Sequence, residues 1–238
     1  PSDAKLGNGK ILAVHDACTT RKEKSIHDNI RNIAKKLEYE IEEPEFGRET
    51  TKCCGYGGLV YFANNEFSKE VTENRIHDSE NDYLAYCAMC RDLFVLRGKK
   101  TYHILDLIYG KNEGEISEMK TPTLSERRIN RFNLKKKMLK DLWGEIMEIK
   151  DEYEDLKIII NDELKNKIED ELILESDIKK VIGYAEEAKN SFFNPENGHI
   201  LAWRRLINVT FWVEYKKAPD NTFQIINAYC HRMNVTGV

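Results

Sequence analysis

The sequence predicts an α/β protein, in which a Rossmann-like parallel-sheet domain with cysteine-bearing loops is followed by a helical linker and a small α+β domain. Up to about residue 110, short apolar runs alternate with amphipathic segments, as in proteins with a parallel sheet. A polar stretch with a Thr-Pro-Thr turn then interrupts this pattern, and the tail alternates apolar and polar residues between turn signals. We therefore expect two domains, residues 1–120 and residues 121–238.

The first domain is expected to contain about four strands. KILAVHDAC predicts a strand, and EKSIHDNIRNIAKKL predicts a helix with isoleucines on one face. A short strand at EYEIEEPE, a helix at EFSKEVTENRIHD and a strand in DYLAYC follow. A further helix should start at Cys90 and stop at Gly98, before a last strand in KTYHILDLIYG. Parallel sheets bind ligands beyond the carboxyl ends of their strands, where Cys18 and the pair Cys87 and Cys90 are expected to lie.

The second domain should begin with one long helix, LSERRINRFNLKKKMLKDLWGEIMEI, as its linker. LKIIIN predicts a short strand, and DELKNKIEDELIL and ESDIKKVIGYAEEAKNSF predict helices, the latter capped by Ser176 or Asp177. HILAWRRL, NVTFWVEYKK and TFQIINAYCHRM, separated by turn signals, predict a three-stranded antiparallel meander. No residue pattern in this part of the chain is diagnostic of a function.

Composition and charge narrow the class of protein. The net charge is only -4 and the basic residues are scattered, so we expect neither a nucleic-acid partner nor a membrane surface. No apolar run is long enough to span a membrane, and the amino end lacks the order of a secretory signal, which favours a cytoplasmic protein. Because the chain starts at Pro1 without an initiator methionine, we expect it to be a piece of a longer polypeptide.

Five of the six cysteines form an ordered pattern. Written as spacing, the pattern is one cysteine, 34 residues, an adjacent pair, 32 residues, and a Cys-x-x-Cys. In a reducing compartment such clustering indicates metal or redox chemistry rather than disulfides. A Cys-x-x-Cys at a helix start lets two thiolates converge, and glycines after an adjacent pair allow both cysteines to face one centre. The five residues are Cys18, Cys53, Cys54, Cys87 and Cys90.

Three chemistries remain open on spacing alone. Structural zinc and a cubane iron–sulfur cluster each take four ligands, so a fifth thiol suits a larger or irregular cluster, or a cubane with one thiol free. A metal-free thiol redox pair formed by Cys87 and Cys90, or inert packing, are the alternatives. His15 lies three residues before Cys18, and two roles are open for it. It donates a proton or a hydrogen bond to cluster sulfur, or it ends its strand with a satisfied ring nitrogen and has no part in the site.

Cys18, the CCGYGG segment and the CAMC segment together resemble the cysteine-rich CCG domain found in heterodisulfide reductase and in related iron–sulfur oxidoreductase subunits. The resemblance covers about residues 10–110. It implies that the five motif cysteines hold a [4Fe–4S] cluster of the non-cubane type. The CCG-containing subunit of heterodisulfide reductase carries two such motifs, whereas this chain carries one, and some family members hold zinc at one motif.

The resemblance implies an iron–sulfur oxidoreductase module that takes electrons from a flavoprotein or a ferredoxin-type subunit and passes them to a disulfide or another acceptor. We expect such a module to work within a larger flavin-containing complex or polypeptide. No nucleotide-binding glycine loop occurs in this chain, so a flavin would belong elsewhere. The alternative is a non-catalytic interaction domain that zinc stabilises, with Cys18 or Cys54 as a spare thiol.

Overall fold

The computed structural model describes residues 7–109, 112–147 and 151–233. The chain divides into two compact units, residues 1–121 and residues 122–238. Within the described ranges, no helix combines the length and the apolar character that crossing a membrane requires.

Over its described residues, the first unit is built on a four-stranded sheet of order β2-β1-β3-β4 in which every pairing is parallel. This architecture confirms the predicted Rossmann-like parallel sheet. The strands are β1 (Ile11–His15), β2 (Glu40–Glu42), β3 (Tyr83–Ala85) and β4 (Thr101–His103). The helices are α1 (Lys24–Lys36), α2 (Val60–Ala63), α3 (Asn65–Ile76), α4 (Ala88–Leu96), α5 (Ile104–Ile108) and α6 (Glu113–Ser117).

Both faces of this sheet are buried, as its apolar strands require. Successive side chains of a strand point to opposite faces, so Leu12 and Val14 join a core with Ile30 of α1. Ala13 lies in a second core with Tyr83 and Phe94, and that core also contains cysteines. Burying one side chain of leucine size contributes about 2 kcal/mol, so each face adds substantially to stability.

The strand order places a topological switch between β1 and β3. From β1 the chain crosses to β2 on one side, whereas from β3 it crosses to β4 on the other side. At such a switch the two connecting loops diverge and leave a crevice at the carboxyl edge of the sheet. The crevice lies beside Cys18, which follows β1, and Cys87, which follows β3.

A buried carboxylate, Asp16, joins the three loops at this edge. Arg31 of α1 donates two hydrogen bonds to the Asp16 carboxylate, at 2.9 and 2.8 Å. The Arg48 amide donates to it at 2.7 Å from the loop after β2, and the Tyr86 hydroxyl donates at 3.1 Å from the loop after β3. The Asp16 carbonyl also accepts from the Thr51 hydroxyl at 2.8 Å. One residue therefore fixes all three cysteine-bearing loops relative to each other.

Over the described residues, the second unit contains a five-stranded mixed sheet of order β5-β9-β8-β7-β6. The strands are β5 (Lys157–Ile159), β6 (Ser191–Asn194), β7 (His199–Leu206), β8 (Val209–Lys217) and β9 (Thr222–His231). The helices are α7 (Leu124–Trp143), α8 (Asp162–Asp170) and α9 (Glu175–Ala188). The apolar faces of α8 and α9 share one core with β7, β8 and β9.

This sheet has two strands more than the predicted meander. The β5 strand pairs in parallel with β9, and β6 adds an antiparallel edge beside β7. Residues of β6 were expected to end the preceding helix. That helix instead stops at Ala188, and Lys189 takes a left-handed backbone conformation with φ of 49°. The two phenylalanines that follow favour an extended backbone.

Three predicted helix ends are wrong. The helix expected to start at Cys90 starts at Ala88, which makes Cys87 its capping residue. The long helix ends at Trp143 because Gly144 takes a left-handed conformation with φ of 68° and terminates it. The predicted continuation into residues 148–149 lies outside the described residues. The last helix starts at Glu175, so Ser176 lies within it rather than capping it.

Replacing Asp16 with asparagine should destabilise the first unit at neutral pH. Burial favours the protonated acid, but hydrogen bonds from Arg31 and the Arg48 amide outweigh it and hold the pKa of Asp16 below its usual range. The variant removes one of the two carboxylates that pair with the buried Arg31 guanidinium and leaves Glu43 as the other, at a cost of about 2 kcal/mol. Since the wild-type pKa is depressed, the stabilisation is present at neutral pH and is lost as pH falls through the folded pKa, below 3.8.

Urea unfolding at pH 7 and at acidic pH, followed by hydrogen exchange of the β1 amides, measures this difference. Tryptophan fluorescence would not serve, because every tryptophan lies in residues 122–238. Asp28→Asn is a matched control, since Asp28 binds Arg48 at 2.7 Å on the exposed surface. An equal loss of stability in both variants would contradict a special role for the buried carboxylate.

Candidate metal centre

The five motif cysteines lie on loops that leave the carboxyl ends of three neighbouring strands. Cys18 opens a short 3-10 turn after β1, and Cys53 and Cys54 lie in the long loop after β2. Cys87 caps α4 after β3, and Cys90 lies in the first turn of that helix. The parallel order of the strands brings these loops to one edge of the sheet.

The structure places the thiols of four motif cysteines in contact, without a disulfide among them. The sulfurs of Cys54 and Cys90 are 3.2 Å apart, whereas a disulfide bond is about 2.05 Å long. The Cys53 thiol also interacts with Cys54, and the Cys87 thiol interacts with Cys90. Cys18 interacts electrostatically with Cys53.

The sharp turn after the adjacent cysteines depends on Gly55. Its φ is +97°, and a Cβ at this position would lie 2.6 Å from the Ser68 carbonyl oxygen and 2.8 Å from the Thr72 hydroxyl. The hydroxyls of these two residues anchor the loop to α3: Thr72 donates to the Cys54 carbonyl at 2.7 Å, and Ser68 donates to the Gly55 carbonyl at 2.9 Å. Of the other glycines in CCGYGG, Gly58 has a positive φ and Gly57 does not.

The thiol contacts separate the pKa values of the cysteines. Hydrogen bonds from Cys53 and then from Cys90 lower the pKa of Cys54 far below its usual range, although burial opposes them. The same bonds to Cys54 raise the pKa of Cys53 and of Cys90. A hydrogen bond from Cys90, aided by backbone amides at the start of α4, lowers the pKa of Cys87 to about 6. Two sulfurs of the group are therefore predisposed to be thiolates at neutral pH.

His15 completes a buried set of potential ligands with Cys54 and Cys90. One ring nitrogen of His15 and the two sulfurs all lie within 4.8 Å of one another. Burial lowers the pKa of His15, and interaction with Cys54 opposes that effect in part. Among the described residues, His15 Nε2 is buried and has no hydrogen-bond partner.

Sequence reasoning missed the polar residues that support these thiols. Arg75 of α3 donates from Nε to His15 Nδ1 at 3.1 Å across 60 residues of chain, and Asp16 organises the loops as described above. Tyr86 hydrogen-bonds to Thr20 at 2.7 Å as well as to Asp16. The sequence does show a charged residue directly after the first apolar strand and another within a helical segment. Charged residues at such positions are usually exposed, so neither one indicated a buried role.

The donor set fits a soft metal. Thiolates are the preferred ligands of zinc and of iron–sulfur clusters. Closely spaced, half-buried thiolates repel one another in a low-dielectric surrounding, and a bound cation would relieve that repulsion. The unpartnered His15 Nε2 is a further buried polar atom at the same place. The residues present can therefore hold a metal ion or a cluster.

Comparison with known proteins identifies the same region. Residues 12–92 match the model of a family named CCG and described as a cysteine-rich domain. The match includes all five motif cysteines. Searches of curated proteins and of solved structures gave no significant match. The resemblance predicted from CCGYGG and CAMC is thus confirmed over residues 12–92, which match the CCG family of cysteine-rich domains.

Proposed function

We propose that the first unit is an iron–sulfur oxidoreductase module resembling the CCG-containing subunit of heterodisulfide reductase. In this proposal the chain receives electrons from a flavoprotein or ferredoxin-type partner, as part of a larger flavin-containing complex or polypeptide. It passes them one at a time to a disulfide or another acceptor. Reduction of one disulfide to two thiols consumes two electrons and two protons, and the partner supplies the electrons.

One observation carries the proposal. Within the region that matches the CCG domain, Cys54 and Cys90 are buried with their sulfurs 3.2 Å apart and no disulfide bond between them. Cys53 and Cys87 lie beside this pair. Inert packing would not require the depressed pKa of Cys54 and of Cys87, or a left-handed turn at Gly55. This combination supports a ligand site over inert burial.

The residues of the chain have distinct roles in this proposal. Cys18, Cys53, Cys54, Cys87 and Cys90 would hold a [4Fe–4S] cluster, cubane or non-cubane. When bound, such a cluster supplies one-electron chemistry at a thiolate-rich site.

The surrounding residues stabilise negative charge on the sulfurs, fix the loop that carries Cys54, and exclude water. The amides at the start of α4 lie near the Cys87 sulfur and favour its negative charge. The Gly55 turn and the Thr72 hydroxyl fix the direction of the Cys54 loop, and burial of Cys54 and Cys90 excludes water from their side of the site.

A second candidate is a single zinc ion in a non-catalytic interaction domain. The observation that favours it is the compactness of the buried set, in which three potential ligand atoms lie within 4.8 Å of one another. A single ion needs four ligands in such a small volume, whereas a polynuclear cluster needs more widely spaced sulfurs. The compact set contains Cys54, so of the two thiols that the sequence left as spare, Cys18 is the spare one in that case. The metal then stabilises the fold without carrying electrons.

Anaerobically purified protein should contain iron and acid-labile sulfide in comparable amounts. Cys54→Ser should lose most of both, because it removes the sulfur that contacts Cys53 and Cys90. Cys230→Ser is the matched control, since Cys230 lies in β9 of the second unit and should leave the metal content unchanged. Elemental analysis and a sulfide assay measure the result.

Zinc without sulfide would support the second candidate and reject the first. Protein that contains neither iron nor zinc, yet reduces disulfides, would instead favour a thiol redox pair at Cys87 and Cys90.

In the metal-free protein, Cys87 should alkylate on the order of tenfold faster than Cys230 at pH 7. The two thiols are similarly half-buried, but the pKa of Cys87 is lowered to about 6 while burial raises the pKa of Cys230. The Cys87 rate should fall as pH drops below about 6, because its thiolate becomes protonated. Loading metal should protect Cys87 and leave Cys230 unaffected. Equal rates by peptide mass spectrometry would contradict the predicted activation of Cys87.

A further inference from the structure

The position of His15 raises the question of whether it binds metal or serves another purpose. His15 ends β1, is 1% exposed, and makes an edge contact with the Phe94 ring at 4.7 Å. Its closeness to Cys54 and Cys90 would allow a ligand set of one histidine and two cysteines. Imidazole and thiolates do occur together at zinc sites, so proximity alone leaves both roles open.

Arg75 determines the protonation state of the ring. The Arg75 Nε–H group lies 3.1 Å from His15 Nδ1. A guanidinium can only donate, so Nδ1 must offer a lone pair and carries no proton. The ring is therefore neutral and its proton is on Nε2. A protonated Nε2 has no lone pair for a metal ion, but it can donate a hydrogen bond to sulfur.

Arg75 is itself held firmly in place. Its side chain is fully buried, and its Nη1 atom pairs with Asp78 at 2.8 Å. Asp78 also pairs with Lys52 at 2.6 Å, and Lys52 directly precedes Cys53. The Tyr83 hydroxyl donates to the Arg75 carbonyl at 2.6 Å. Two ion pairs and one hydrogen bond therefore link Lys52, next to the adjacent cysteines, to the His15 ring.

We propose that His15 is a hydrogen-bond donor toward the Cys54 sulfur rather than a metal ligand, and that Arg75 is the positioning residue that fixes its tautomer. The proposal rests on the proposed function only in assuming that these sulfurs hold metal. Hydrogen bonds to ligand sulfur withdraw charge from it and raise the reduction potential of an iron–sulfur centre. His15 and Arg75 would thus adjust the site without occupying a coordination position.

The tautomer can be measured on the full-length, metal-free protein by nitrogen-15 NMR of labelled histidine. In the wild type, His15 should show a protonated Nε2 and an unprotonated Nδ1. Arg75→Leu should abolish this fixed tautomer, while Arg97→Leu, which removes an exposed bond to Asn65, should not. A protonated Nδ1 or an imidazolium ring in the wild type would overturn the proposal.

Two substitutions of His15 distinguish a hydrogen-bond donor to sulfur from a metal ligand. Glutamine can place an amide N–H where Nε2–H lies, whereas leucine fills the space without a polar group. If His15 is a donor, His15→Gln and His15→Leu should both keep the wild-type metal content. In iron-loaded protein, the reduction potential should shift negative in His15→Leu and stay near the wild-type value in His15→Gln.

Loss of metal from both His15 variants would show that the ring is a ligand and would overturn the proposal. Equal potentials in wild type and His15→Leu would do the same. Hydrogen exchange of the β1 amides confirms that each variant is folded. A wild-type chain that takes up no metal would contradict the proposed function, and the NMR measurement would still decide the tautomer.

Discussion

The site depends on a buried ion pair that lies outside it. Asp16 and Arg31 pair at 2.8 Å, with side chains 0% and 5% exposed, at the point where the loops after β1, β2 and β3 leave the sheet. Removing two charges from water is costly, and it is tolerated here because the Asp16 carboxylate also accepts from the Arg48 amide and the Tyr86 hydroxyl. Arg31 is further satisfied by Glu43 at 2.5 Å. Without this network, the loops after β1, β2 and β3 would lose several of the hydrogen bonds that join them.

The negative charge of the cysteine sulfurs also has to be stabilised in a partly buried place, and here hydrogen-bond donors do so rather than an ion pair. Cys54 is stabilised as a thiolate by neighbouring thiols, and Cys87 by Cys90 and then by amides at the start of α4. The buried cation of Arg75 pairs with Asp78 and donates to the His15 ring. A neutral hydrogen-bond donor is therefore placed beside the sulfurs and a compensated cation behind it. That arrangement leaves the negative charge of the sulfurs available to a metal.

Local patterns in the sequence were sufficient to predict the sheet of the first unit. Short strand-like runs and the pattern of α1 located the four strands and the longer helices without knowledge of their partners. The short helices α2, α5 and α6 were not predicted, and the residues of α5 were assigned to the last strand. The expectation that cysteines would gather at one edge follows from the rule for parallel strands. The structure brings Cys53, Cys54, Cys87 and Cys90 together, whereas their roles as ligands remain a proposal.

The missed features depend on distant parts of the chain. Arg31 and Arg75 lie in helices where arginine is ordinarily solvated, and their burial follows only once Asp16 and His15 are placed beside them. The β6 strand was missed for a similar reason, because SFFN continues a helical segment and becomes a strand by pairing with β7. The predicted meander used only strands with clear alternation, and β6 is short. The β5 strand was predicted from LKIIIN, but its pairing with β9 was not.

The central claim is that three loops bring cysteine sulfurs to one inorganic centre from which His15 is excluded as a ligand. X-ray absorption at the iron and zinc edges of anaerobically purified protein tests this claim most directly. The account predicts a first shell of sulfur without a histidine nitrogen, and iron–iron scattering if a cluster is bound. A first shell dominated by nitrogen or oxygen, or one that contains a histidine nitrogen beside the sulfurs, would contradict it.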